Sequence, residues 1–221
     1  MKTRKHFFGM ALFAIIALVF TVGAKGSSTP VQETIVCLGD SITSGFAATV
    51  VGKDDKSKAW PAILQNKVNI PVINAGVPGN TTAQGLARVK KDVLSKNPRI
   101  VIIELGASDF FQKIPLATIR KNLQKIIDMV NDGKRKIYLI HLLTYRPIEI
   151  DYYEVFNTLA SSNNIELIDS DWPIWGVEEL NNKNDKTVPG GHPNPKGHEI
   201  IAEYIFNDLK PYLEANNLLK E

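Results

Sequence analysis

Ser41 and His192 lie in sequence contexts suited to nucleophilic chemistry. Ser41 follows an apolar run and the pair Gly39-Asp40, at a point where a strand is predicted to turn into a helix. His192 lies far downstream, in a loop rich in glycine and proline before the last predicted helix. A serine hydroxyl attacks well only when a base takes its proton and a third group orients that base. The pair therefore indicates a serine nucleophile with a histidine base, and the alternative is that Asp40 and Ser41 only cap a helix.

The elements that must position these residues alternate between strands and helices. Strands are predicted at residues 34–38, 72–74, 99–105, 136–142 and 165–169, and helices at 60–68, 81–96, 116–131, 152–162 and 196–213. This alternation predicts an α/β fold, a three-layer α/β/α sandwich with a five-stranded, mostly parallel sheet and right-handed crossovers. The binding crevice of such a sheet lies beyond the carboxyl ends of its strands. Ser41, Gly79 and Ser108 each follow a predicted strand, so we expect them to meet His192 at that edge.

The amino terminus predicts export. Three basic residues within the first five positions are followed by an apolar run at 7–22 and by the small residues Gly23 and Ala24. This is the pattern of a cleaved signal peptide at residues 1–24, which leaves a mature domain at 25–221 in a periplasmic or secreted protein. The alternative is an uncleaved membrane anchor, although the apolar run is shorter than the ~20 residues that a spanning helix needs.

Charge and composition argue against several classes of protein. The leader holds three of the 26 Lys and Arg residues and none of the 23 Asp and Glu residues, so the mature chain carries 23 of each sign. A net charge near zero argues against nucleic acid as a partner, and no later segment is apolar for long enough to span a membrane. Cys37 is the one cysteine, which excludes an internal disulfide and a cysteine metal cluster. Its place in the first strand predicts burial.

The segment Gly39-Asp40-Ser41-Ile42 resembles the first signature block of the SGNH, or GDSL, hydrolases, and the likeness is closest to the thioesterase I, lysophospholipase L1 and arylesterase branch. Matching blocks follow in the same order at residues 44–46, 60–64, 74–81, 85–88, 104–109 and 192–194. The resemblance implies a flavodoxin-like sheet with strand order 2-1-3-4-5 and hydrolysis of an ester or thioester without a metal or other cofactor. By position, it also implies that Ser41 is the nucleophile, His192 the general base and Gly79 a backbone donor of the oxyanion hole.

The chain departs from this family pattern at two positions. Ser108 stands where the third block carries an asparagine that completes the oxyanion hole, and Pro189 stands where an aspartate usually precedes the histidine by three residues. Ser108 offers one donor on a shorter side chain, and loss of one such donor typically costs ~10²–10³ in rate. Asp185 and the main-chain carbonyls of Pro189 and Gly190 are the remaining groups that could orient His192.

Other residues near the predicted crevice have less specific roles. Phe46, Phe110 and Phe111 suit an acyl or aryl group at the rim, with packing of their own loops as the alternative. His141, at the end of the fourth strand, is expected in core or rim packing. His198, in the last helix, is expected in a structural or exposed position.

These observations support two hypotheses. The first is an exported serine esterase or thioesterase that hydrolyses small or single-chain acyl esters by a Ser-His mechanism with a weakened triad. The polar loop at 47–59 is short and leaves little material for a lid, which favours an open site for such small-molecule substrates. The second is a catalytically impaired pseudo-hydrolase that binds acyl or carbohydrate ligands, because Ser108 and Pro189 replace the expected partners.

Overall fold

The computed structural model describes residues 33–141, 150–169, 180 and 191–221. The strands are β1 (Thr34–Gly39), β2 (Val72–Gly76), β3 (Pro98–Glu104), β4 (Lys136–His141) and β5 (Glu166–Asp169). The helices are α1 (Ser41–Ser44), α2 (Trp60–Gln65), α3 (Thr82–Arg88), α4 (Ala107–Phe111), α5 (Leu116–Val130), α6 (Ile150–Asn163) and α7 (Pro195–Ala215). The predicted signal peptide, Asp185, Pro189 and Gly190 lie outside the described residues. Among the helices described, none is both long enough and apolar enough to cross a bilayer.

The five strands form one parallel sheet in the order β2-β1-β3-β4-β5. The predicted α/β class and the strand order 2-1-3-4-5 are therefore confirmed. Gly39, the last residue of β1, pairs with Gly76 of β2 on one side and with Glu104 of β3 on the other. The carboxyl ends of these three strands are level, so the segments that follow them start at the same edge of the sheet.

Successive residues of β1 enter two separate hydrophobic cores, one on each face of the sheet. Ile35 and Cys37 pack with side chains of α2 and α7, whereas Val36 and Leu38 pack with side chains of α5 and α6. Because both faces are covered, the strand is continuously apolar rather than alternating. Cys37 is completely buried, as predicted, and burial raises the pKa of its thiol, which keeps it protonated and unreactive.

Some predicted boundaries differ from the structure. The helix predicted at 81–96 ends its α-helical part at Arg88 and continues as a π-helical turn at Val89–Val93 and a 3₁₀ turn at Leu94–Lys96. An apolar period near three to four residues fits each of these windings, so it does not distinguish them. The helices α1 and α4 have only four and five residues, which is too short for a helical period to be read from the sequence.

Candidate active site

Ser41 is the first residue of α1, within a segment that we call the serine turn (residues 39–44). The Asp40 side chain caps this helix, because its Oδ1 accepts a hydrogen bond from the Ile42 backbone N–H at 3.1 Å. The helix ends at Gly45 after a single turn. Ser41 is partly exposed, whereas the other three residues of α1 are buried. The capping role considered for Asp40 is therefore real, and it leaves the Ser41 side chain at the crevice surface.

Glu104, the last residue of β3, anchors the serine turn by accepting three hydrogen bonds from it. Its Oε2 accepts hydrogen bonds from the Thr43 hydroxyl at 2.6 Å, from the Thr43 backbone N–H at 3.2 Å and from the Asp40 backbone N–H at 3.4 Å. Gly39 permits this approach, because an added Cβ would lie 2.0 Å from the Thr43 hydroxyl oxygen and 2.7 Å from Glu104 Oε2. Sequence reasoning gave Glu104 no role of its own. The sequence signal for a role was that Glu104 is a single acidic residue between Ile103 and Leu105, at the end of a continuously apolar strand.

Asp40 and Glu104 form a buried pair of carboxyl groups, each about 1% exposed. Burial raises the pKa of Asp40 to about 6, although hydrogen bonds from Ile42, Glu104 and Ser108 act in the opposite direction. Burial, and then the charge of Asp40, raise the pKa of Glu104 well above its usual range.

Gly79 lies in the loop that follows β2, at residues 77–81. Its φ is +72°, in the left-handed region, and no atom lies within 4 Å of a Cβ built at this position. The glycine is therefore required by the backbone conformation rather than by lack of space. This loop is tied to the serine turn, because the Val77 N–H donates to the Gly39 carbonyl at 3.1 Å. The Arg88 guanidinium joins them again, donating to the Asn80 side chain at 2.8 Å and to the same Gly39 carbonyl at 2.9 Å.

Ser108 lies in α4, the short helix that follows β3. Its Oγ is 3.4 Å from Oδ2 of Asp40, which is long for a bond between two oxygens and makes this contact weak. The helix is anchored on its buried side by Asp109, which accepts hydrogen bonds from the Thr82 N–H at 2.7 Å and the Thr82 hydroxyl at 2.6 Å. Ser108 therefore sits beside the serine turn, with its hydroxyl directed toward the Asp40 carboxylate.

His192 packs against the segment that carries Ser41. The residue is 3% exposed, and its ring meets the Phe46 ring edge to face, with centroids 5.0 Å apart. The Phe46 backbone N–H in turn donates to the Ser41 carbonyl at 3.0 Å. The loop enters α7 through Asn194, whose side chain accepts a hydrogen bond from the Gly197 N–H at 2.9 Å. Phe46 thus contacts both the segment that contains Ser41 and the loop that contains His192.

The other two histidines near the sheet edge are buried. His198 is completely buried, and neither ring nitrogen has a hydrogen-bond partner among the described residues. Burial and the neighbouring His192 lower the pKa of His198 to about 4, so it is neutral at neutral pH. The structural position considered for His198 is therefore observed, and the exposed one is wrong. His141 packs among the rings of α6 and lies 3.5 Å from Asp169, which agrees with the predicted core or rim packing.

Acidic, histidine and cysteine side chains do not gather into a metal centre in this part of the chain. Within residues 33–141, 150–169, 180 and 191–221, no group of three or more such side chains is arranged to hold a metal ion. What the edge does offer is a partly exposed hydroxyl on a hydrogen-bonded turn, a buried imidazole packed on Phe46 after that turn, and a glycine loop bonded to the same turn. This arrangement suits acyl transfer through a serine.

Comparison with known proteins places the chain among ester hydrolases. The model of the GDSL-like lipase/acylhydrolase family matches residues 37–200. An arylesterase of Vibrio mimicus is 27% identical over 208 residues, which cover 90% of this chain and 97% of that protein. The thioesterase 1/protease 1/lysophospholipase L1 of Escherichia coli K12 is 27% identical over 191 residues, covering 84% and 87% of the two chains. The uncharacterized lipoprotein YqeF of Bacillus subtilis is 32% identical over 244 residues, covering 91% and 96%.

Solved structures give the same result. The crystal structure of TesA is 26% identical to this chain and superposes with a TM-score of 0.68. The superposition covers 81% of this chain and 99% of TesA. The likeness therefore extends over nearly the whole of that hydrolase rather than over a shared sheet alone.

Proposed function

This chain belongs to the GDSL-like lipase/acylhydrolase family and is a carboxylic ester hydrolase. We propose that it is an exported enzyme that cleaves small or single-chain acyl esters through Ser41 and His192. The observation that carries the proposal is the contact of Phe46 with both segments. Its backbone N–H bonds the Ser41 carbonyl and its ring packs on His192. A family match alone would not tie the rear histidine to the front serine.

The reaction follows from the roles of these two side chains. His192 takes the proton of Ser41 as its Oγ attacks the carbonyl carbon of the ester, and a tetrahedral intermediate forms. The imidazolium then gives that proton to the leaving alcohol or thiol, which leaves an acyl group on Ser41. Water attacks this acyl-enzyme while His192 takes its proton, the bond between the acyl group and Ser41 Oγ then breaks, and His192 returns the proton to Oγ as the acid product departs. For this cycle the imidazole must be neutral at rest, because only that form accepts a proton.

Three donors are proposed to stabilise the oxyanion. The first two are the backbone N–H groups of Ser41 and Gly79. The third is the hydroxyl of Ser108, which must choose between the oxyanion and Oδ2 of Asp40, since a hydroxyl donates one proton only. We therefore propose a weakened oxyanion hole rather than an absent one. Loss of one donor typically costs ~10²–10³ in rate, which leaves most of the acceleration in place.

The group that orients His192 is also a proposal. Asp185 and the carbonyls of Pro189 and Gly190 are the sequence candidates, and all three lie outside the described residues. A main-chain carbonyl can fix the tautomer of an imidazole by accepting from the nitrogen that faces away from the nucleophile. A serine–histidine dyad oriented in this way would need no aspartate at position 189.

The substrate class is proposed from the rim and from the relatives. Phe111 is 40% exposed and projects from α4, whereas Phe110 packs between Phe111 and Tyr152. Phe111 is therefore the aromatic available to an acyl or aryl group, and loop packing accounts for Phe110. An arylesterase and a thioesterase/lysophospholipase are among the relatives, which supports esters of this kind. The balanced charge of residues 25–221 supports the absence of a nucleic-acid partner.

Export is supported by two observations. The basic and apolar leader at residues 1–24 has the composition of a signal peptide. A relative that covers 91% of this chain is described as a lipoprotein, a class of exported protein. We propose that the leader is cleaved and that residues 25–221 act in the periplasm or outside the cell.

The test of the function is hydrolysis of p-nitrophenyl acetate, butyrate and octanoate by the purified protein, with Ser41→Ala as the control. We expect turnover by the wild type and a loss on the order of 10⁴-fold or more in the variant. Equal rates for the two proteins would reject the proposal.

The second candidate, an impaired pseudo-hydrolase that binds acyl or carbohydrate ligands, rests on Ser108 and Pro189. Covalent labelling of Ser41 by a fluorophosphonate would contradict it, because labelling requires an activated serine.

A further inference from the structure

The Glu104 carboxyl group is buried and takes no part in the proposed reaction, yet its two oxygens have very different surroundings. Oε2 accepts three hydrogen bonds from Asp40 and Thr43 of the serine turn. Oε1 is buried and has no hydrogen-bond partner among the described residues. An ionised oxygen without a donor is costly in such a place. A neutral acid has a different need, because it must donate one proton to an acceptor.

The group that would accept the Glu104 proton is the carboxylate of Asp40. Its Oδ1 accepts the Ile42 N–H, its Oδ2 has a long contact with the Ser108 hydroxyl, and a backbone hydrogen bond from Ser108 also lowers its pKa. Among the described residues, neither Asp40 nor Glu104 has a salt-bridge partner to balance a second negative charge.

Charged and titratable groups on the neighbouring elements face the pair without forming a salt bridge to it. Arg88, at the end of α3, donates to the carbonyls of Gly39 and Ala75 and to the side chains of Asn80 and Asp92, and it acts on Asp40 only through its charge. Asp109 of α4 adds a further buried acid, bonded to Thr82. Burial, and then the charges of Asp40 and Asp109, raise the pKa of the Tyr152 hydroxyl on α6, so this phenol stays neutral. Two ionised carboxylates side by side would repel each other strongly here.

We infer that Glu104 carries a proton on Oε1 at neutral pH and donates it to the Asp40 carboxylate, so that one shared proton makes Glu104 a positioning residue for Ser41. The directions of the pKa shifts agree with this assignment. Burial raises the pKa of both acids, the charge of Asp40 raises that of Glu104 further, and a side-chain hydrogen bond from Glu104 lowers that of Asp40. The protonation state stands on its own, whereas its effect on Ser41 rests on the proposed function.

The shared proton fixes the direction of the Glu104 carboxyl group. With Oε1 bound to Asp40, Oε2 is turned toward the backbone on both sides of Ser41, at Asp40 and at Thr43. Ionisation of Glu104 at high pH would replace this hydrogen bond by repulsion and release the turn. A displacement of about 1 Å in a reacting group is enough to cost on the order of 10²-fold in rate.

The first experiment measures the proton and needs no enzyme activity. Glutamate labelled with ¹³C in its side-chain carboxyl is incorporated, and the NMR shift of each glutamate is followed from pH 4 to pH 9. We expect one glutamate to keep the shift of a neutral acid at pH 7.5, and this signal to be missing from Glu104→Gln. Overturning results are a carboxylate shift for every glutamate at pH 7.5, or a neutral signal that persists in the variant.

The second experiment measures the effect on Ser41 by the rate of fluorophosphonate labelling. Glu104→Gln keeps an acceptor for the serine turn and a donor for Asp40, whereas Glu104→Leu keeps only the volume. We expect the leucine variant to lose on the order of 10²-fold and the glutamine variant to recover most of that loss. We also expect an alkaline decline in the wild type that the glutamine variant lacks. A glutamine variant as slow as the leucine variant would show that the ionised form is needed, against the inference. Absence of labelling in the wild type would reject the proposed function, while the NMR result still decides the proton.

Discussion

The serine turn and the surroundings of His192 are built on different physical principles. The serine turn is fixed by directional hydrogen bonds, three of them to a single oxygen of Glu104 and one to the Asp40 cap. A described contact of His192 is aromatic, with the Phe46 ring, and its charge lowers the pKa of the buried His198. The nucleophile is thus held by local hydrogen bonds, whereas this ring contact joins the base to a distant segment.

This difference teaches how each half should respond to change. A hydrogen-bond network fails abruptly, because removing one member leaves buried polar atoms without partners. A packed ring fails gradually, because each atomic contact contributes little and neighbours relax into the space. Substitutions in the serine turn should therefore have larger effects than substitutions of similar size beside His192.

The largest effect is expected from Gly39→Ala. Its methyl group would overlap the Thr43 hydroxyl and Glu104 Oε2, so the turn or the β3 end must move. We expect a loss of about 3 kcal/mol in the free energy of unfolding, measured by urea denaturation, and a loss of Ser41 labelling. Gly133→Ala is the matched control, since it has open space and only a positive φ of +75°. The control should lose about 1–2 kcal/mol, and a larger loss there than at Gly39 would contradict the argument.

The pH dependence of stability tests the buried carboxyl pair. The pKa of Asp40 is about 6 in the folded protein and 3.8 in an ordinary environment, so the folded state holds this proton more tightly than the unfolded state. The resulting stability is fully present below pH ~4 and is lost as the pH rises through 6. Its size is about 3 kcal/mol, from roughly two pKa units.

Urea denaturation of the wild type and of Asp40→Asn between pH 4 and pH 8 measures this contribution. We expect the difference in unfolding free energy between the two proteins to shift in favour of the variant as the pH rises. A difference that is independent of pH would mean that Asp40 is not a raised acid. Asp128→Asn, on the exposed surface of α5, serves as the control for the loss of an acidic side chain.

The sequence predicted the sheet and the position of the serine for clear physical reasons. Strands covered on both faces are continuously apolar, and parallel strands place their carboxyl ends at one edge, so Ser41, Gly79 and Ser108 could be assigned to that edge. Glu104 could not be assigned a role, because it depends on the register of β3 against β1 and on the absence of a Cβ at Gly39. Neither condition is visible in a linear pattern.

The contact of Phe46 with His192 was also beyond sequence reasoning. Phe46 was considered as a rim aromatic for the substrate or as packing within its own loop. The structure shows a third arrangement, packing against a ring 146 positions later in the chain. Contacts of this range depend on how the last loop returns over the sheet, and no local period encodes that path. The assignments of Ser41, Gly79, Ser108 and His192 to steps of the reaction remain predictions.

A smaller effect, with the opposite sign, is expected when the missing oxyanion donor is restored. In Ser108→Asn the amide reaches further than the hydroxyl and has two protons, so it can serve Asp40 and the oxyanion together. Combined with Pro189→Asp, we expect kcat for p-nitrophenyl acetate to rise by about tenfold or more. Ser108→Ala is the matched control and should lower kcat. Unchanged kcat in the double variant would mean that positions 108 and 189 do not hold the third oxyanion donor and the group that orients His192.

The smallest effect is expected from Phe46→Leu, which keeps an apolar side chain but removes the ring that meets His192 edge to face. Such ring pairs contribute about 0.5–1.5 kcal/mol beyond the area they bury, so kcat/KM should fall by roughly two- to tenfold. Phe110→Leu is the matched control, because it removes ring pairs with Phe111 and Tyr152 rather than one with His192. If the Phe110 variant loses more activity than the Phe46 variant at equal stability, the aromatic contact does not position His192. If Phe46→Leu loses as much activity as Gly39→Ala, the serine turn and the surroundings of His192 are held with the same rigidity.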